Sequence, residues 1–172
     1  MRTVFTLLLA GLMANVAEAE LIRSTADGFI IRHEATVEGD VTAVFETMTA
    51  SVGRWWSPDH SFSGDAGNML IDQQCFCERW SGNLVRHLDT VIWREDSKVV
   101  MEGGLGPLKE VGLNGTMIWT LTADDDGTTT LIWKYHVYGY SDTDMSALAT
   151  AVDGVLAEQL GRLVGFLRLA GP

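Results

Sequence analysis

The sequence predicts an α+β domain: a curved antiparallel sheet with one apolar face, covered by a single long C-terminal helix. Three observations carry this. Apolar and polar side chains alternate between turn signals over residues 59–140, apolar side chains recur at helical spacing over residues 143–170, and only two short helical stretches precede the β region. Strands followed by one helix able to cover them form the α+β arrangement. No internal repeat, linker or low-complexity tract divides the 172 residues, a length suited to one domain.

Met1 and Arg2 precede an apolar run over residues 4–16, and Ala17-Glu18-Ala19 follows. This is the order of a secretory signal with a small-residue cleavage site, and the run is shorter than the ~20 residues a spanning helix needs. Residues 1–19 are therefore expected to be a signal peptide and residues 20–172 a single exported domain, periplasmic or secreted. The first strand is expected over 28–38. Asp40 then caps a helix with Val41, Val44, Phe45 and Met48 on its apolar side. Ser51 opens a second short helix carrying Trp55 and Trp56, which Pro58 ends. Further strands are expected over 69–80, 84–94, 98–102, 116–122 and 128–140, with turns at 63–68, 81–83 and 124–127. Leu131, Trp133, Tyr135 and Val137 share one face of the last strand, and Lys134 marks the other as the wetter. Met117, Trp119 and Leu121 alternate in the same way. The helix over 143–170 is expected to be capped by Asp142 or Thr143, with Asp144 in its first turn. Its apolar stripe comprises Leu148, Val152, Val155, Leu156, Leu160, Leu163, Val164 and Leu167. Gly154, Gly161 and Gly165 weaken it, and their expected use is to let the sheet approach closely.

The net charge is −11, and loss of Arg2 with Glu18 would leave it unchanged. Such a surface repels phosphate backbones and anionic membranes, which excludes nucleic acid as a partner held by charge. Beyond residue 19 no stretch is apolar and long enough to insert stably into a bilayer.

Candidate chemistry is sparse. Cys75 and Cys77, two apart on a strand, point to one face with Cα atoms about 6.6 Å apart. A regular strand at that spacing favours two buried, inert thiols over a disulfide, which a bulge would permit. Two registers of the following hairpin stay open. A three-residue loop pairs Trp80 with Leu84 and sets Cys77 opposite His87 and Cys75 opposite Asp89. A two-residue loop pairs Trp80 with Asn83 and sets Cys77 opposite Arg86 and Cys75 opposite Leu88. Only the first assembles Cys75, Cys77 and His87 into a metal site, a weaker alternative to no metal at all. His33, His60, His87 and His136 show no ligand spacing. Glu78, Arg86, Asp89, Glu102 and Glu110 lie in or beside apolar strands, where the solvent-facing reading is favoured. Gly103-Gly104-Leu105-Gly106 lacks the Gly-Lys-Ser/Thr ending of a phosphate loop, and a nucleophile elbow is missing as well, so no cofactor is expected.

The element order, with Val41 to Met48 as a first short helix and Trp55-Trp56-Ser57-Pro58 ending the second, resembles the helix-grip superfamily. Its members include START lipid-transfer domains, the major birch-pollen allergen, aromatase/cyclases of polyketide synthesis and homologues of chaperone ATPase activators. Cys75-Phe76-Cys77-Glu78 is similar to the aromatic-x-Glu strand of bacterial members. Gly104-Leu105-Gly106-Pro107-Leu108 and Gly115-x-Met117-x-Trp119 resemble a chaperone-activator-like or cyclase-like subgroup. The likeness spans residues 28–170. It implies a cavity between sheet and long helix for a lipid, sterol or polyketide-like molecule. On that reading Phe76, Trp119, Trp133, Tyr135, Leu156 and Leu160 form the cavity wall, Tyr135 or Glu78 orients the ligand, and Glu78, placed on the central sheet, is the candidate acid or base. The expected function is an exported binder or carrier of a small apolar molecule. The alternatives are a cavity enzyme with cyclase- or dehydratase-like acid–base chemistry, and a chaperone-activating interaction protein, which export disfavours.

Overall fold

The computed structural model describes residues 18–170; the expected signal peptide lies outside them except for its last two positions. Eight strands form a single curved sheet: β1 (Glu18–Thr25), β2 (Gly28–Glu38), β3 (Met69–Ile71), β4 (Cys75–Trp80), β5 (Asn83–Arg94), β6 (Lys98–Glu102), β7 (Leu113–Ala123) and β8 (Thr128–Gly139). Their order is β1-β2-β8-β7-β6-β5-β4-β3, with every pairing antiparallel. Helices α1 (Val41–Ala50) and α2 (Val52–Trp55) follow β2, and α3 (Met145–Ala170) ends the chain. The expected α+β class, with the long helix over the sheet, is the observed one.

Local chemistry explains most boundaries. Asp40 caps α1 by accepting the Thr42 N–H at 2.9 Å. Asp144 caps α3 rather than Asp142 or Thr143: its carboxylate accepts the amides of Ser146 and Ala147. The single strand expected over 69–80 is two, because the Asp72 carboxylate accepts the N–H groups of Gln74 (2.7 Å) and Cys75 (2.9 Å) and turns the chain back on itself. β1 was not expected. It is an edge strand whose residues 20–25 are all exposed, so it lacks the alternation that burial imposes.

The inward face carries the core. Leu131, Trp133, Tyr135 and Val137 of β8 are all buried, as are Met117, Trp119 and Leu121 of β7. Trp119 and Trp133 stack with centroids 4.7 Å apart, and Trp55 of α2 packs against both. Leu156, Leu160, Leu163 and Leu167 of α3 complete the cluster. Burial of four leucines, at about 1.5–3 kcal/mol each, outweighs three helical glycines at up to ~1 kcal/mol each. Those glycines do not serve close packing: a Cβ at Gly154, Gly161 or Gly165 would meet nothing within 4 Å. Polar ties fix the helix lengthwise. Arg162 Nε donates to the Trp55 carbonyl at 2.8 Å and Gln159 accepts the Ser57 N–H at 2.7 Å; Asp153 lies 3.0 Å from the buried His33 of β2 without a well-formed hydrogen bond.

Candidate functional site

The site begins with a departure from regular β structure. Ser81 and Gly82 both have positive φ (44° and 82°), the two-residue turn that suits a twisted hairpin. Trp80 therefore pairs with Asn83 and Cys77 with Arg86, yet Phe76 pairs with Leu88 and Cys75 with Asp89. His87 is the extra residue, a β-bulge. The bulge turns two consecutive side chains of β5, His87 and Leu88, inward. Gly103 makes room for it, since a Cβ there would stand 2.7 Å from the His87 carbonyl. On β4 the Cα atoms of Cys75 and Cys77 are 5.5 Å apart and the two sulfurs are bonded. The favoured reading of two free thiols is thus corrected: the irregular pairing brings them within disulfide reach. With both sulfurs oxidised and His87 turned to Glu78, the alternative Cys75, Cys77, His87 metal site has no thiolate to offer. Among the described residues no cluster of three or more His, Cys, Asp or Glu could hold a metal.

His87 opens onto a cavity of about 400 Å³, within the range of small-molecule sites. Its walls come from residues 59–62, residues 105–108, and Leu148, Ala151, Val152 and Val155 of α3. The first half of the helical stripe therefore faces the hollow, and the second half fills the core. Trp56, just after α2, adds its indole to the lining. Its indole donates to the His60 carbonyl at 2.9 Å and its ring meets Phe76 edge-on at 4.9 Å.

Beneath this apolar lining lies a buried polar pair. Glu78 is fully buried and accepts the N–H groups of Phe62 (2.9 Å) and Ser63 (2.6 Å). Burial alone would raise its pKa, but Ser63, the two amides and His87 together hold it below the ordinary 4.5. His87 Nε2 stands 3.4 Å from the Glu78 carboxylate. Burial pushes the His87 pKa below 6.5, against the opposing pull of Glu78. At neutral pH the pair is an ionised carboxylate beside a neutral imidazole. Neither ring nitrogen makes a well-formed hydrogen bond, although His87 is only 2% exposed.

No protein-family model matches the chain, and no curated protein matches it in sequence. Solved structures match it in fold. An uncharacterized protein from Rhizobium leguminosarum gives a TM-score of 0.58 at 14% identity, over 89% of this chain and 98% of its own. CalU16 from Micromonospora echinospora gives 0.55 at 13%, over 91% and 85%. DynU16, from the dynemicin biosynthetic locus, gives 0.55 at 16% over 83% of this chain, which spans about half (48%) of that protein. At such identities the likeness shows architecture. The fold is helix-grip. It is compatible with the arrangement of polyketide cyclases.

Within this helix-grip domain the residues expected to line the cavity lie elsewhere. Phe76, Trp119, Trp133, Tyr135, Leu156 and Leu160 are all buried in the packed core, and none of them lines the hollow. The tryptophans stack on one another between sheet and helix, and Trp55 packs against both at a tilt. Tyr135, expected to orient a ligand, instead holds the cavity wall. Its hydroxyl accepts the Leu105 N–H (3.0 Å) and donates to the Gly103 carbonyl (2.9 Å). That contact also gives Gly103-Gly104-Leu105-Gly106 its role as wall. Glu78 lies on the sheet beneath the site, on β4, one strand in from the edge. Arg86 and Asp89 pair with each other at 2.6 Å in solvent, and Glu102 and Glu110 are exposed. His60 pairs with Glu158 at the rim, His33 lies under α3, and His136 points to the wetter face. Sequence reasoning missed Trp56, Leu105, Val152 and the inward turn of His87. The signal for the last was the Ser81-Gly82 turn combined with the paired cysteines.

Proposed function

We propose that the protein is exported and binds a small, largely apolar molecule in the cavity between the two short turns and the first half of α3. The observation that carries this is a hollow of about 400 Å³ whose lining is mainly apolar, set beside a core of buried aromatic and aliphatic side chains. Desolvation would drive binding, at about 25 cal/mol per Å² of apolar surface covered. Two features support export: the order of residues 1–19, and a disulfide, which persists in oxidising compartments. No helix among the described residues is long and apolar enough to cross a membrane. Native mass spectrometry of the full chain, expressed for export and exposed to cell lipid extract, tests the reading. A retained small-molecule adduct supports it; a chain that stays empty overturns it.

The Glu78–His87 pair favours one second reading, a cavity enzyme with cyclase- or dehydratase-like acid–base chemistry. A neutral imidazole backed by a carboxylate is a competent general base near neutral pH. Turnover of a bound polyketide-like compound that disappears in His87→Phe would support this reading, and turnover unchanged in that variant would sink it.

A further inference from the structure

The polar pair does more than mark the cavity, because its hydrogen-bond valence is incomplete in a defined direction. Glu78 can only accept: each of its oxygens takes one amide, from Phe62 and Ser63, and lone pairs remain for one more donor. The ring nitrogen facing it, His87 Nε2 at 3.4 Å, is best occupied by a proton, since a lone pair there would oppose the carboxylate's own lone pairs. A neutral imidazole carries one proton only, so Nδ1 is left as a bare acceptor. Nδ1 is buried and has no partner. A buried acceptor without a donor is costly, and a group that supplies the donor recovers the difference. The bulge that turns His87 inward also sets this residue among those lining the cavity, with the rings of Phe62 and Phe76 5.8 and 5.3 Å from its own.

From these contacts we infer that the cavity selects an uncharged apolar molecule bearing a hydroxyl group, whose O–H donates to His87 Nδ1. This rests on the cavity being the binding site. An anionic head is excluded by charge: Glu78 lies behind the imidazole, Asp59 stands at the lining, and neither Lys nor Arg lines the hollow. A molecule without a donor leaves Nδ1 unpaired. A hydroxyl without an acceptor loses its water and gains nothing in return.

Matched two-ring probes separate the possibilities: 2-naphthol, 2-methylnaphthalene and 2-naphthoate, titrated into the full protein near neutral pH with Trp fluorescence or calorimetry as readout. The hydroxyl should bind about tenfold more tightly than the methyl analogue, the value of one buried hydrogen bond, and the carboxylate more weakly than either. In His87→Phe the order of naphthol and methylnaphthalene should reverse, because the hydroxyl is then desolvated without a partner. Independently of that variant's folding, the ¹⁵N resonance of His87 Nδ1 in the wild-type chain should move with 2-naphthol and stay with 2-methylnaphthalene. Equal affinity of the hydroxyl and methyl probes overturns the inference and leaves the cavity as a binding site. Failure of all three probes to bind overturns both.

Discussion

Removal of a single oxygen tests how the cavity wall is held. In Tyr135→Phe the ring stays in place, wedged against Gly115, where a Cβ would come within 2.7 Å of it. Only the hydroxyl is lost, and with it the Leu105 N–H contact of 3.0 Å and the Gly103 carbonyl contact of 2.9 Å. Both backbone groups are buried, and each loses its partner there. An unsatisfied buried group costs about 1–3 kcal/mol, and Leu105 borders a cavity that water can enter, so about 2 kcal/mol in total is expected. For a domain of this length each kcal/mol lowers Tm by roughly 2–4 °C, giving a fall of about 4–8 °C. Circular dichroism melting reads the loss. Amide exchange at Leu105 reads its location and should accelerate more than exchange at Leu131 in the core. A melting temperature within about 1 °C of wild type, with Leu105 exchange unchanged, would refute the assignment of Tyr135 as the pin of the wall.

Three other outcomes follow from different parts of the structure. Thiol titration of the unfolded, unreduced protein should find no free thiols, because Cys75 and Cys77 are bonded to each other; two reactive thiols per chain would contradict that bond. Gly161→Ala should raise Tm by roughly 2–4 °C, since the position is exposed, mid-helix and open on its Cβ side, and Ala gains up to ~1 kcal/mol over Gly; a drop in Tm would mean that the helix backbone needs that glycine. Burial lowers the pKa of His33, against the pull of Asp153, and that of His87, against the pull of Glu78, so the unfolded chain takes up protons first as pH falls. Stability is full above the ordinary histidine pKa of 6.5 and declines below it. Urea midpoints should therefore be lower near pH 5.5 than near pH 7.5, and equal midpoints would show that neither imidazole is held neutral.

Where a single physical constraint dominated, the chain was readable. β2 and β8 each press one face on the core, and the alternation of Leu131, Trp133, Tyr135 and Val137 announced it. The stripe of α3 was equally plain. β1 was not readable, because an edge strand that buries none of residues 20–25 has no reason to alternate. The alternation told that Trp119 and Trp133 point inward, but whether that interior is filled depends on Trp55, which arrives from a helix far away in sequence. The cavity instead lies where turns from residues 58–62 and 105–108 meet α3, and turns carry no periodicity. The orientation of His87 required knowledge of a bulge. Simple counting from a two-residue turn placed Arg86 correctly opposite Cys77 and then failed one residue later. Glu78 was singled out by family likeness, and its role emerged from the amides of Phe62 and Ser63, supplied by a loop that sequence pattern leaves undefined.

The central claim is that small molecules enter the hollow beside Trp56 and not the aromatic core. The indole N–H resonances of Trp56, Trp119 and Trp133, followed by NMR during titration with 2-naphthol, test it directly. Trp56, which lines the hollow, should shift strongly, and Trp119 and Trp133 should hold still. Movement of the two stacked tryptophans with Trp56 unchanged would contradict the account.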